Sequence, residues 1–422
     1  MKKYITIAIL LFSHLAGISQ NKATNEPSVA CVDDADADRL PGKYYDHTQP
    51  KYPMSLKAGS ASEKAAMLNQ LIALEKLEEK SRNNFVLTGC VLRTSFSSLT
   101  TVLFNRYLHT PYEYQLAAYQ NVCHVQEHVV KTVGEYRTVI RVAVNPGLAQ
   151  GRFFSVTGDF YISDKSVRYE IPVDGTVAQR NAGYPVTYSG RRISQFIMMK
   201  QIATSKENFQ KINNGNGYVE EVMQGSDPRK YQWLDRYWYI TKPGIPLFIP
   251  VTRKEYLEAL LEYYDLENEN FSTMVARKIQ EDAKSNSPEA KKRMGIYETD
   301  KSTYPQIYKA KKEKVSQLLA TQKTEWLERP AIVANNWDLR PNDYAKPSNG
   351  LLDFEKFYDN ENQNNALYQY NPEYFKGNTQ QPTKPVFMRI QFRYEMGRGF
   401  SERLFNNFVK NFDMEALKKM LQ

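Results

Sequence analysis

The chain is poor in the residues from which most enzyme sites are built. It has three cysteines in 422 residues, spaced so that they form neither a zinc ribbon nor a C-x-x-C pair, and too few for a disulfide-dense scaffold. It has five histidines. His14 falls in a segment expected to be removed, so a Ser-His-Asp or Cys-His site must draw on His47, His109, His124 or His128. There is no G-x-S-x-G elbow, no Walker loop, no G-x-G-x-x-G and no EF-hand spacing, so nucleotide and calcium chemistry have no support and no cofactor is implied. No internal repeat of 20–50 residues is found. Beyond the N-terminus no stretch approaches 18 apolar residues, so no transmembrane segment is expected in the mature chain. Basic charge is not lacking, at 56 Lys+Arg against 47 Asp+Glu, but it is not gathered into a block. Nucleic acid is therefore not an expected partner.

Aromatic residues are plentiful: 29 Tyr, 20 Phe and 4 Trp. Tyrosine on this scale suits β-rich surfaces and polar ligand sites, because the ring packs while the hydroxyl stays wet. The N-terminus has the pattern of an export signal. Lys2 and Lys3 precede an apolar run from Ile5 through Phe12, and Gly17 and Ser19 are the small residues before a cut after Ser19. The reading is a periplasmic or extracellular protein, soluble or peripherally attached. Export permits disulfides. Cys90 and Cys123 lie in apolar patterned sequence and Cys31 in an acidic leader, so a Cys90–Cys123 bridge is the preferred pairing and two buried thiols the alternative.

The expected fold class is α+β: an N-terminal helix packed on an antiparallel β-meander, followed by a mixed C-terminal region with a long helical arm. Residues 20–57, with Asp33, Asp34, Asp36 and Asp38 followed by Pro41, Pro50 and Pro53, read as an extended leader that packs late or not at all. Helical spacing over 60–82, with Ser62 as cap, opens an α+β domain over 58–200. Short β-rich runs between 121 and 173 supply the meander, while 95–120 is ambiguous between strand and helix. The mixed region, 201–422, follows. Ser194 to Ile212 reads as helical and Tyr231 to Ile240 as a strand. Thr252 and Glu255 form a capping box for a helix running to about 283. Pro288 is expected to break the arm (253–329), with a restart from Tyr304 to Leu327. Residues 335–382 read as long loops. Val386 to Tyr394 alternates as a half-buried strand, and Ser401 caps a last helix.

Three constellations carry possible chemistry. His124-Val-Gln-Glu-His128 matches the H-x-x-E-H string of the inverzincin metallopeptidases, in which a helix brings two imidazoles to one zinc. Its flanks are β-branched, which places it on a strand with the two histidines about 13 Å apart at ~3.3 Å per residue, so no metal ligands are assigned. Tyr231, Trp233, Asp235, Tyr237 and Tyr239 share one strand face. Flat rings with a carboxylate suit a sugar or peptide contact, and the same stripe fits the underside of a sheet beneath the 253–283 helix. A glycosidase needs two facing carboxylates; Asp353, Glu355, Asp359 and Glu361 crowd one loop, and no catalytic residue is assigned among them. Arg389, Arg393, Arg398 and Arg403, with Lys384, give the C-terminus a basic cast suited to an anionic glycan, a lipid headgroup or an acidic partner. The expectation is an exported cell-envelope binding or interaction protein without catalysis, its partner a glycan or an envelope protein. The alternative is an envelope hydrolase: a zinc peptidase through His124/Glu127/His128, or a carboxylate-based glycosidase.

Overall fold

A strand that alternates apolar and polar residues needs a neighbour on each edge and a cover for its apolar face, and the last strand of this chain finds both in the middle of a large sheet. The computed structural model describes residues 29–46, 60–99, 110–148, 158–160, 162, 165–167, 169–171, 191–225, 232–333, 357–359, 366–376 and 383–421. The expected signal segment, Tyr231, His47, His109, Asp353, Glu355 and Glu361 lie outside these residues. The main sheet has eight strands: β1 (Lys43–Tyr45), β2 (Cys90–Ser98), β3 (Tyr112–His124), β4 (Val129–Thr132), β5 (Thr138–Val144), β9 (Tyr218–Gln224), β10 (Gln232–Ile240) and β13 (Met388–Glu395). Their order is β1-β2-β3-β5-β13-β10-β9, with β4 paired to β3. All pairs are antiparallel except β1–β2. The meander expected between 121 and 173 thus begins earlier, and the ambiguous 95–120 stretch contributes β2 and β3. Strands from both sides of residue 200 share this sheet. Two small sheets accompany it: β6 (Gly158–Phe160) with β7 (Tyr169–Ile171), and β11 (Phe248–Pro250), β12 (Leu367–Tyr370) and β8 (Ile197–Met198) in the order β11-β12-β8.

One face of the main sheet is apolar. Leu92, Tyr114, Leu116, Ile140, Val142, Ile390 and Phe392 pack there against helices α2 (Ala61–Ser81) and α6 (Gly399–Asn411). This is the α+β arrangement the sequence implies. Helix α2 is capped by Ser60 rather than Ser62, because Glu63 stands three residues on and completes a capping box. The face is not wholly apolar: buried Glu78 of α2 accepts from the Tyr114 hydroxyl at 2.8 Å and from Arg82 at 2.7 Å. The last long helix starts at Gly399, and Ser401 instead donates to the Glu395 carbonyl at 2.7 Å.

Residues 29–46 of the acidic leader are docked. Asp33 caps α1 (Asp34–Arg39) by accepting from the amides of Ala35 and Asp36. The Cys123 amide donates to Asp34 at 3.0 Å, Arg398 pairs with Asp34 at 3.2 Å, and Arg403 pairs with Asp38 at 2.8 Å. Gly89, at φ +76, passes so close to Asp38 that a Cβ would collide with it. The disulfide joins Cys31 to Cys123, and Cys90 is a buried free thiol. The expected Cys90–Cys123 bridge fails on geometry. Cys90 stands opposite Gln120 and faces the apolar core. Cys123 is three residues further along β3, on the other face and about 10 Å away at ~3.3 Å per residue, beyond bridging reach.

The helical arm forms as a hairpin of α4 (Arg253–Asp282) and α5 (Pro288–Thr321), with α3 (Lys206–Asn214) earlier and α7 (Met414–Lys419) at the end. Pro288 starts the second helix rather than only breaking the first: its missing N–H costs nothing at the first turn, and Ser287 caps it by accepting from Ala290. Pro305 lies inside this helix. The hairpin buries its own core with Tyr256, Tyr263, Tyr264, Phe271 and Tyr304. At its centre Lys311 and Glu267, both buried, pair at 2.5 Å, and Tyr304 donates to Glu267 at 3.1 Å. No described helix is long and apolar enough to cross a membrane.

Two outcomes test this packing. The Cys31–Cys123 bridge spans 92 residues, so Cys31→Ser should lose about 4–5 kcal/mol of unfolding free energy in urea titrations, and peptide mapping under non-reducing conditions should link these two cysteines while Cys90 reacts only after unfolding. Lys311→Met should cost about 3–5 kcal/mol by leaving Glu267 unpaired, with Glu267→Leu/Lys311→Met recovering most of the loss, as read from the same titrations.

Candidate functional site

The opposite face of the main sheet is built from polar and aromatic side chains, and the pleat decides which ones. Because successive residues alternate faces, Trp233, Asp235, Tyr237 and Tyr239 of β10 project away from the apolar core while Leu234, Trp238 and Ile240 project into it. Arg389, Gln391 and Arg393 of β13 stand beside them in register with Tyr239, Tyr237 and Asp235. On the far side of β13 comes β5, with Arg141 opposite Gln391, and then Gln115 of β3 opposite Arg141. A single cross-strand row therefore reads Gln115, Arg141, Gln391, Tyr237. The stripe and the basic C-terminal strand, separate in the sequence, share one surface.

The row is hydrogen-bonded end to end. Arg141 donates to Gln115 Oε1 at 3.2 Å, Gln391 Oε1 at 3.1 Å and the Tyr136 hydroxyl at 3.2 Å. Gln391 donates to the Tyr237 hydroxyl at 3.2 Å and to Asp235 at 3.1 Å. Asp235 is fully buried and holds Arg393 through two nitrogens, at 2.7 and 2.9 Å. Its carboxylate is thus committed within the sheet, not offered to a sugar hydroxyl. Tyr239 packs on a separate apolar cluster with Phe209, Phe248 and Tyr374. Burial pushes its phenol up to about 12, and that of Tyr237 also to about 12, where Asp235 adds to the effect. Trp233, half-buried, sits under the Arg137 guanidinium at 6.0 Å. None of these rings belongs to the core of the 253–282 helix, so the alternative reading of the stripe as the underside of that helix does not describe this sheet.

A cleft of about 570 Å³ adjoins the Trp233 end, lined by Asp34, His124, Glu135, Arg137, Glu395 and Arg398 among others. Glu395, paired in register with Trp233, is buried and meets Arg398 at 3.3 Å and Arg137 at 3.6 Å. The H-x-x-E-H string ends β3 and fills the β3–β4 turn. His124 is the last residue of the strand, and His128 sits in the turn at φ 51. The string is therefore neither the helix a shared zinc requires nor one continuous strand. Glu127 pairs with Lys131 at 2.6 Å and lies 3.5 Å from His124; the Lys131 ammonium holds its carboxyl below the usual range. Among the described residues no group of three or more His, Cys, Asp or Glu is placed to hold a metal. Asp359 is taken by Arg253 at 2.6 Å and Arg329 at 3.2 Å.

Sequence reasoning missed Arg141, Gln115 and Glu113. The signal was a lone arginine in the otherwise apolar Thr138-Val-Ile-Arg-Val-Ala-Val run, which has to face a polar partner across the sheet. Arg398 and Arg403, expected to lend the C-terminus free positive charge, are instead paired with Asp34 and Asp38. No family model, curated protein or solved structure matches the chain.

Burial pushes the Glu113 carboxyl up, against the pull of Arg141 and Arg389. The folded state thus holds this proton more tightly than the unfolded chain. The stability it contributes is full below the ordinary glutamate value and is lost as pH rises through the raised one. Denaturant titrations of Glu113→Gln between about pH 4 and pH 7 should show a smaller decline in stability than the parent chain.

Proposed function

We propose that this chain is an exported cell-envelope binding protein without catalysis, and that it meets a glycan or envelope-protein partner through the polar face of its main sheet. The observation that carries the reading is the convergence on one face of half-buried Trp233 and Tyr237 with the guanidinium groups of β5 and β13, fixed by a ladder of hydrogen bonds. Such a surface is pre-organised: its side chains lose little freedom on binding, so contact energy is kept as affinity. Rings stack on the apolar faces of sugar rings, and amide and guanidinium groups take the hydroxyls. The N-terminal signal pattern supports an envelope or extracellular address.

An envelope hydrolase is the competing reading, and the cleft is its best location. There Asp34 and Glu395 are both held by Arg398, an arrangement that suits structure better than proton transfer.

Binding isotherms of the full chain against a panel of neutral and acidic polysaccharides and envelope extracts test the proposal. Trp233→Ala and Tyr237→Ala should each weaken the best binder at least about tenfold, or ~1.4 kcal/mol, with no reducing ends or new amines released on long incubation. Product release that survives both ring variants would replace this reading with the hydrolase.

A further inference from the structure

We propose that this face takes a carboxylated polysaccharide; the inference rests on the binding reading above and narrows it to a charge class. Four arginines stand on the face: Arg93 on β2, Arg141 on β5, and Arg389 and Arg393 on β13. Only Arg393 has a close carboxylate, that of Asp235. Arg141 is oriented by three neutral acceptors, and its nearest acid, Glu113, stands off at 3.9 Å. Arg93 lies over the Tyr119 ring at 4.3 Å and Arg389 over the Tyr237 ring at 5.7 Å. Among the described residues neither has a carboxylate partner. The Nε of Arg389 is moreover buried with no acceptor. Amides and rings fix these guanidiniums in place, and Glu113, 3.9 Å from Arg141 and pushed toward its neutral form by burial, offsets Arg141 and Arg389 only in part. A carboxylate is the planar acceptor whose two oxygens match the guanidinium fork.

The layout favours an extended occupant. Arg93 and Arg393 lie in one cross-strand row, three strands apart, or about 14 Å at ~4.8 Å per strand, too far for one small anion. The strands that carry Arg141, Arg389 and Arg393, β5 and β13, are flanked by a strand on each side, so an acidic peptide has no strand edge to extend beside these three arginines. A polymer that repeats its carboxylates and offers sugar faces to Tyr237 and Trp233 fits both the charges and the rings.

Calorimetric titration of the full chain with polygalacturonate, its fully methyl-esterified form, dextran sulfate and poly-L-glutamate tests this. The acid polymer should bind, esterification should weaken it at least about tenfold, and added salt should weaken it further. Arg389→Gln should lose at least about fivefold with its melting temperature unchanged, and Arg389→Lys should lose less. Arg93→Gln, which breaks a ring contact and no hydrogen bond, should repeat the loss. Equal binding of the ester would overturn the charge claim and leave the binding reading standing. Preference for dextran sulfate would overturn the carboxylate, and equal binding of poly-L-glutamate would overturn the polysaccharide. Failure of every glycan, charged or neutral, would overturn both this inference and a glycan-binding role.

Discussion

The two backbone ladders that seat β13 between β5 and β10 are what the rest of the molecule depends on. They run from Met388↔Val144 to Arg393↔Val139 on one side and from Ile240↔Met388 to Trp233↔Glu395 on the other. Without them the N-terminal meander and the β9–β10 hairpin have no common sheet. Their register sets both faces at once: Ile390 and Phe392 complete the apolar core under α2 and α6, and Arg389, Gln391 and Arg393 reach Tyr237 and Asp235. A slip of one residue would invert both sets, driving three polar side chains into the helices. The buried Asp235–Arg393 pair penalises such a slip because it is satisfied in only one register.

Much of the local structure was legible. The Thr252–Glu255 capping box begins α4 where the sequence places it, and the alternation of 386–394 marks β13 with the correct faces. These signals are local and physical, so they do not depend on what lies elsewhere in the chain. What was not legible is long-range. Nothing in a row of aspartates says that they will cap a short helix and pair with arginines more than 360 positions away. The cysteine pairing failed for the same reason, since apolar flanks identified buried thiols without saying which face each would take.

The candidate site divides along the same line. The Trp233–Tyr239 stripe was visible because the period of a strand is two. The fate of Asp235 was not, because its partner arrives from β13, and a carboxylate that reads as a ligand contact in one strand becomes an internal tie in two. Arg141 had a visible cue, a charge inside an apolar run, but its meaning depended on Gln391 standing opposite. A site made on the face of a sheet is distributed over strands that the chain visits far apart, so its parts are readable singly and its sum only after the pairing is known.

The late position of β13 in the chain has a consequence for synthesis. Until residues 388–395 emerge, β5 and β10 each present an open edge, with Val139, Ile140 and Val142 on the first and Leu234, Trp238 and Ile240 on the second. These edges are apolar on one side and unpaired along their length, which is what invites neighbouring chains to add on. A growing polypeptide therefore carries two adhesive borders, with no means of closing them, from the emergence of β10 (Gln232–Ile240) until that of β13 (Met388–Glu395). Its vulnerability is concentrated in that interval, and whatever escorts the nascent chain must keep the two borders apart until β13 arrives.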